Sequence, residues 1–289
     1  MKGPVSSCKS YLDLCRVNLS FFSMFSAATG FIIASPLTVR TAPAASGVFL
    51  LACGCSALNQ YQERNTDALM LRTRNRPLPA GRIRPANALY FSVLLLLAGF
   101  TALAFTKSPA VLLSGSCAVI LYNGVYTYLK KITAFASVPC SVIGTIPPAI
   151  GWLAGGGGLP DSRIMALCFL FFMWQITHFW LLFLSHGHDY ETAGFPSLTT
   201  VFSVRQLDRI VFIWFLSTAA ASLLFPVYGL IKSVPVILVL VTAVMFLIWN
   251  GARLLVVTCD RAGYRSAFCR MNSFIMLIML LLSLDSLAP

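Results

Sequence analysis

Residues Asn59 to Arg82 read NQYQERNTDALMLRTRNRPLPAGR, a polar stretch set between long apolar runs, and the rest of the chain is interpreted around it. It carries Asn59, Glu63 and Asp67 together with Arg64, Arg72, Arg74, Arg76 and Arg82, and Arg84 follows just beyond. Asn59, Glu63 and Asp67 recur every four residues. On a helix that spacing drifts about 40° and rises roughly 6 Å per step, so the three side chains share one face. Carboxylates are hard oxygen donors suited to Mg²⁺, and Arg72, Arg74, Arg76, Arg82 and Arg84 can hold phosphate oxygens. The pairing suggests a metal-bound diphosphate. The plainer alternative is a solvated basic loop, because arginines gather on the cytoplasmic side of any membrane protein.

The surrounding composition names the solvent. The chain has 289 residues, of which 58% are hydrophobic and 10% charged, and its mean hydropathy is +0.81. A water-soluble globule cannot hide that much apolar surface, so the bilayer is the expected medium. The net charge of +12 sits in short segments between apolar runs, with no basic helix interleaved with aromatics, which argues against a nucleic-acid partner. Anionic headgroups of membrane lipid and phosphorylated substrates fit better. Nine cysteines form no C-x-x-C pair and no zinc spacing, and they read as small buried hydrophobes.

About 20 apolar residues cross a bilayer, and nine such runs are present: 17–35, 42–62, 87–106, 109–128, 134–154, 163–184, 209–230, 234–256 and 268–286. The expected fold is therefore all-α, a polytopic bundle occupying residues 1–289 as a single transmembrane domain. Pro139, Pro147 and Pro148 predict a kinked fifth span. Alternating the connections places Arg40, Lys107, Arg163 and Lys232 on one side and the remaining 17 of the 21 cations on the other. The positive-inside rule then sets the N-terminus in the cytoplasm and the C-terminus outside. Glu63, Asp67, Asp189, Glu191, Asp208 and Asp260 fall on the cytoplasmic side as well, so the chemistry is expected there. The first run starts near Val17 without a small-residue cleavage site, which predicts a retained span. The absence of a transit-like N-terminus favours a bacterial inner membrane.

Two further clusters stand out. All three histidines fall between His178 and His188, and Asp189, Tyr190 and Glu191 follow them. A zinc site is disfavoured, since His186 and His188 are two apart with no cysteine beside them. Asp189 and Glu191 read as oxygen ligands or charge anchors. His178 lies in a polar patch of an apolar helix, either hydrogen-bonded between helices or in contact with an iron or a propionate. Asn123, Tyr126, Tyr128, Lys130 and Lys131 close the fourth span, where Tyr and Lys either anchor the helix end or touch the diphosphate. The 22 Phe and 5 Trp could line a prenyl channel, although most will face lipid or neighbouring helices.

These motifs resemble those of the UbiA-type intramembrane prenyltransferases, and the likeness covers most of the chain. The first family signature is met by Asn59, Glu63 and Asp67, then by Arg72, Arg74, Asn75, Arg76, Pro77, Leu78 and Gly81. Lys130-Lys131-Ile132-Thr133 and Gly144, Pro147, Pro148, Gly151 and Trp152 match two further patterns. The segment Gln175-Ile176-Thr177-His178-Phe179-Trp180, with Asp189-Tyr190 and Ala193-Gly194-x-Pro196, is most similar to the heme-modifying branch.

The resemblance implies a helical bundle around a central cavity open to the membrane. In it, Asn59, Glu63, Asp67 and Asp189 hold Mg²⁺, while Arg72, Arg74, Arg76, Lys130, Lys131, His178 and Tyr190 bind substrate. It further implies transfer of a farnesyl group from farnesyl diphosphate to a vinyl group of heme b, with a heme-handling protein or heme A synthase as a partner. Two other readings stand beside it, a prenyltransferase for an aromatic quinone precursor and a non-catalytic transporter or assembly factor. His188 stands where the branch has the first Asp of a pair, which predicts weaker Mg²⁺ binding at the second motif.

Overall fold

The structure, a computed structural model, describes residues 4–39, 41–256 and 261–288, with side chains for all of these except 4–7, 188 and 190. Lys2, Arg40, Cys259, Asp260 and the side chains of His188 and Tyr190 thus lie outside the described residues. The helices are α1 Pro4–Cys15, α2 Val17–Ala34, α3 Thr41–Gln62, α4 Arg64–Asp67, α5 Pro85–Ala104, α6 Pro109–Leu129, α7 Ser137–Ala154, α8 Ser162–Thr192, α9 Leu198–Val201, α10 Val204–Val227, α11 Val234–Val256 and α12 Arg261–Leu287. Among the described residues no strand occurs, and nine helices are long and apolar enough to cross a membrane. They coincide with the nine runs read from sequence. Only α1, α4 and α9 are too short.

Local chemistry sets the ends. Pro85 and Pro109 open α5 and α6, where a missing N–H costs nothing. Asp161 caps α8 by accepting the Arg163 N–H at 2.8 Å. Ser203 and Gln206 form a reciprocal capping box that starts α10 five residues ahead of the apolar run. The expected kink in the fifth span takes the form of a tight 3₁₀ stretch, Ser141–Thr145, ahead of the α-helical turns. Pro147 and Pro148 cannot donate backbone hydrogen bonds into that stretch.

The backbones of α2 and α7 touch. A Cβ on Gly151 would fall 1.8 Å from the Ala27 carbonyl oxygen, and one on Gly30 would fall 2.1 Å from that of Pro148. Two apolar cores flank this seam. One, around Phe171, Phe215, Phe225, Met271 and Ile275, joins α8, α10, α11 and α12, and the other, around Phe31, Leu51, Leu103 and Ile150, joins α2, α3, α5, α6 and α7. Between them lies a cavity of about 150 Å³ lined by residues that include Phe22, Ser26, Cys55, Tyr122, Trp174 and Gln175. A larger groove of about 700 Å³ runs along α11 and α12, and its lining includes none of the motif carboxylates.

Candidate functional site

The polar stretch does not continue as one helix. Glu63 sits at a break between α3 and α4 with φ −103° and ψ 6°. The helical spacing nevertheless persists, because Glu63 N–H donates to the Asn59 carbonyl at 2.9 Å and Asp67 N–H to that of Glu63 at 2.8 Å. Asn59, Glu63 and Asp67 therefore stay stacked one turn apart, and all three are buried. The basic loop then turns back through a helical cap. Arg82 N–H reaches the Pro77 carbonyl at 2.8 Å and Gly81 N–H that of Leu78 at 3.0 Å. Gly81 has a φ of 65°, the left-handed position this closure requires.

A short π-helical segment, Ile120–Tyr126 inside α6, faces the end of α3 and fixes it. Asn123 Nδ2 donates to the Cys55 carbonyl and to Gln62 Oε1, both at 3.1 Å, while Gln62 Nε2 donates to the Asn123 carbonyl at 3.0 Å. Asn59 Nδ2 donates to Thr127 Oγ1 at 3.0 Å, which turns the Asn59 carbonyl oxygen away from that partner. Asn123 is thus a strut between helices. Gln62 and Thr127, which complete this network, lie within the polar segments read from sequence but were not singled out there; their places at two facing helix ends mark them.

Glu63 and Asp67 are each matched to a cation. Lys130 Nζ lies 2.5 Å from Glu63 Oε1, and Arg76 Nη1 donates to Asp67 Oδ2 at 2.6 Å. The second Asp67 oxygen, Oδ1, is enclosed without a hydrogen-bond partner in the structure, an arrangement that costs free energy unless something binds it. Burial pulls Lys130 below its ordinary lysine value, and the neighbouring Glu63 carboxylate opposes that pull. The Lys130 ammonium also lies 5.3 Å from the centre of the Tyr126 ring and 5.8 Å from that of Phe195.

The second motif reaches the first through Asp189, whose Oδ2 accepts the Arg72 backbone N–H at 3.3 Å across 117 residues of sequence. Non-helical torsions at His186 (φ −139°, ψ 20°) bend α8 just before it. Met70 and Phe195 pack together beside this link. Glu191 instead accepts from Thr199 Oγ1 and anchors the turn into α9. Four of the cations read as phosphate ligands divide by environment. Arg76 and Lys130 sit on the carboxylates, whereas Arg74 and Lys131 are exposed, the latter beside the Tyr128 ring at 5.7 Å. Arg82 is held between the loop and α1, donating to the Asn75 carbonyl at 2.7 Å and pairing with Asp13 at 3.5 Å.

Deeper in the bundle, His178 Nδ1 lies 3.0 Å from Asn272 Oδ1 on α12, and Trp174 Nε1 donates to that same oxygen at 3.1 Å. Asn272 sits in an apolar span without a motif, and sequence reasoning passes it over. Arg16 takes a left-handed conformation (φ 48°) at the break between α1 and α2. The arrangement can hold a polyanion at the polar end of the bundle while keeping an apolar chain in the cavity below.

Known proteins share this architecture and these sequence patterns. The family model described as the UbiA prenyltransferase family matches residues 21–278. The protoheme IX farnesyltransferase of Oleidesulfovibrio alaskensis is 36% identical over 244 residues, which is 84% of this chain and 84% of that protein. The protein of the same name from Geobacter sulfurreducens is 42% identical over 187 residues, 65% of this chain and 69% of its own. Among solved structures, that of a digeranylgeranylglyceryl phosphate synthase superposes with a TM-score of 0.74 at 17% identity, covering 97% of this chain and 99% of that one. A UbiA homolog from Archaeoglobus fulgidus bound to GPP and Mg²⁺ gives 0.67 at 15% identity, covering 95% and 99%. With the fold shared across whole chains and the sequence model spanning nearly all the membrane helices, this chain belongs to the UbiA prenyltransferase family.

Proposed function

We propose that this chain transfers the farnesyl group of farnesyl diphosphate to a vinyl group of protoheme IX, releasing diphosphate and giving heme O. The observation that carries the reading is the stack of buried Asn59, Glu63 and Asp67, with Lys130 and Arg76 on its carboxylates, adjoining an apolar cavity. The shared name of the curated relatives supports the acceptor. Single-domain organisation over residues 1–289, a bacterial inner membrane and a cytoplasmic active site belong to the same proposal, the last supported by the cation asymmetry.

The residues fit a divalent cation. Asn59, Glu63, Asp67 and Asp189 offer only hard oxygen donors, and Asp67 Oδ1 is buried without a partner. These four would hold Mg²⁺, which when bound supplies electrophilic stabilisation to the departing phosphate oxygens. Arg76 and Lys130 stand where they can pass from the carboxylates to the diphosphate, neutralising it as the allylic C–O bond breaks and its electron pair leaves with the oxygen. The apolar cavity shields the allylic cation from water. The vinyl π pair then forms the new C–C bond, and water adds to the resulting benzylic-type cation with loss of a proton.

A cavity of about 150 Å³ is below the roughly 300–1,000 Å³ of ordinary ligand pockets. It takes part of a prenyl chain, and a porphyrin is too wide for it. The deciding experiment incubates purified protein with heme b, farnesyl diphosphate and Mg²⁺, and seeks a heme heavier by a farnesyl and a hydroxyl group. EDTA should abolish that product and added Mg²⁺ restore it. Absence of the heme product, with prenylation of an aromatic acid instead, would replace heme with a quinone precursor.

A further inference from the structure

The groove of about 700 Å³ along α11 and α12 is built from two helical stripes that face each other. Leu238, Thr242, Phe246 and Asn250 recur every four residues on α11, and Arg270, Phe274 and Leu277 follow at four and three on α12, so each set shares one face of its helix. The stripes meet where Arg270 Nη1 donates to Asn250 Oδ1 at 2.5 Å. From Asn250 back to Leu238 the helix rises roughly 18 Å. That is close to one leaflet, about half of a hydrocarbon core roughly 30 Å thick. With its apolar end near the bilayer midplane, the groove has its polar end at headgroup depth. Trp249 marks the same depth. It is exposed, and the exposed Arg253 guanidinium lies 5.2 Å from the centre of its ring, a pair suited to the membrane–water boundary.

Arg270 is half-buried inside an apolar span, and the Asn250 amide it meets is neutral. Among the described residues no carboxylate pairs with Arg270, and the groove lining contains none. A guanidinium taken into a membrane span calls for an anion. Its planar fork of five N–H donors suits two phosphate oxygens at once, and one donor is engaged by Asn250. Asn250 is itself fixed, because its Nδ2 donates to the Phe246 carbonyl at 2.7 Å. The amide therefore holds the guanidinium at the head of the groove.

We infer that this groove is a seat for one anionic phospholipid, with its phosphate on Arg270 and an acyl chain laid between α11 and α12. Charge favours a phosphodiester over a prenyl diphosphate. The groove has no carboxylate to hold a divalent cation, and one guanidinium balances a singly charged headgroup but not a diphosphate. A zwitterionic lipid brings its own cation and gains less from Arg270. Basic pockets between membrane helices recognise anionic headgroups in this way. The inference stands apart from the proposed reaction, since the groove uses none of the motif carboxylates.

The test uses purified full-length protein in detergent, with dioleoyl phosphatidylglycerol and dioleoyl phosphatidylcholine as probes and native mass spectrometry to count the lipids retained. Wild-type protein should keep one phosphatidylglycerol with at least about fivefold preference over phosphatidylcholine, the scale of one basic contact near a membrane surface. Arg270→Gln should lose that preference, and Arg270→Lys should keep part of it. Thr242→Trp should fill the groove without altering its charge, and so weaken phosphatidylglycerol retention as well. Thr242 is exposed and its hydroxyl bonds only to the Leu238 carbonyl of its own helix, so this variant carries the test if Arg270→Gln fails to fold. The inference is overturned if both lipids are kept equally, if Arg270→Gln retains the preference, or if Thr242→Trp leaves retention unchanged. Displacement of phosphatidylglycerol by equimolar farnesyl diphosphate would overturn it in favour of the prenyl substrate, and a dimer mass without bound lipid in favour of a second copy of this chain.

Discussion

Lys130 and Lys131 are chemically identical neighbours with different work. Lys130 is enclosed against Glu63, and Lys131 is exposed beside Tyr128. Lys130→Ala should lower kcat/KM for farnesyl diphosphate about 100-fold, the scale of losing one preorganised charge contact to a leaving group, while Lys131→Ala should stay within about twofold, as solvent-screened charges do. Steady-state kinetics on the two variants separates them. At the next position of the stack, Asp67→Asn replaces one carboxylate oxygen, the partnerless Oδ1 or the Arg76-bound Oδ2, by an amide. Turnover should fall about 1,000-fold with circular dichroism and thermal midpoint unchanged, and retained turnover would remove Asp67 from the metal site.

At the level of helices, the α2–α7 seam is the least forgiving contact, since backbone lies where a side chain at residue 151 would go. Gly151→Val should cost about 3 kcal/mol or more, the upper end of overpacking effects, and appear as a lower thermal midpoint in detergent. The nine spans were legible because apolar length alone specifies them, and α10 and α12 begin earlier than read because Arg205 and Asp208, and Arg261 and Arg265, interrupt the hydropathy without interrupting the helix. The stack of Asn59, Glu63 and Asp67 was legible from its spacing, although the break at Glu63 was not. Nothing in ILYNGVY marks a π-helical turn, since its residues suit an α-helix equally well. Asn272 was invisible for a different reason. A lone amide in an apolar span gains meaning only from the partner it meets, and that partner, His178, lies 94 residues away.

Across the whole molecule, the polar loops of residues 63–84, 130–133 and 186–199 gather at one end of two apolar cores. The cytoplasmic assignment of that end predicts that a cysteine at Arg74, in a cysteine-free background, reacts with a membrane-impermeant maleimide only after cells are broken, whereas one at Gly156 reacts in intact cells. The opposite pattern would invert the topology. The two ends of the cavity also differ in how they are closed. Its walls are long helices packed backbone to backbone, while the described ties across its polar end are hydrogen-bond distances such as Arg72 N–H to Asp189 and the small Met70–Phe195 cluster. Segments with few buried apolar contacts open at lower free energy than packed cores. Hydrogen exchange at the Arg72 amide should therefore be faster than at Ala27 or Ile150. A reactive cation needs a dry vessel, and a long prenyl substrate needs a door. With the door built from separable loops rather than from the walls, the vessel can be charged and emptied many times while the lipid-facing walls stay shut.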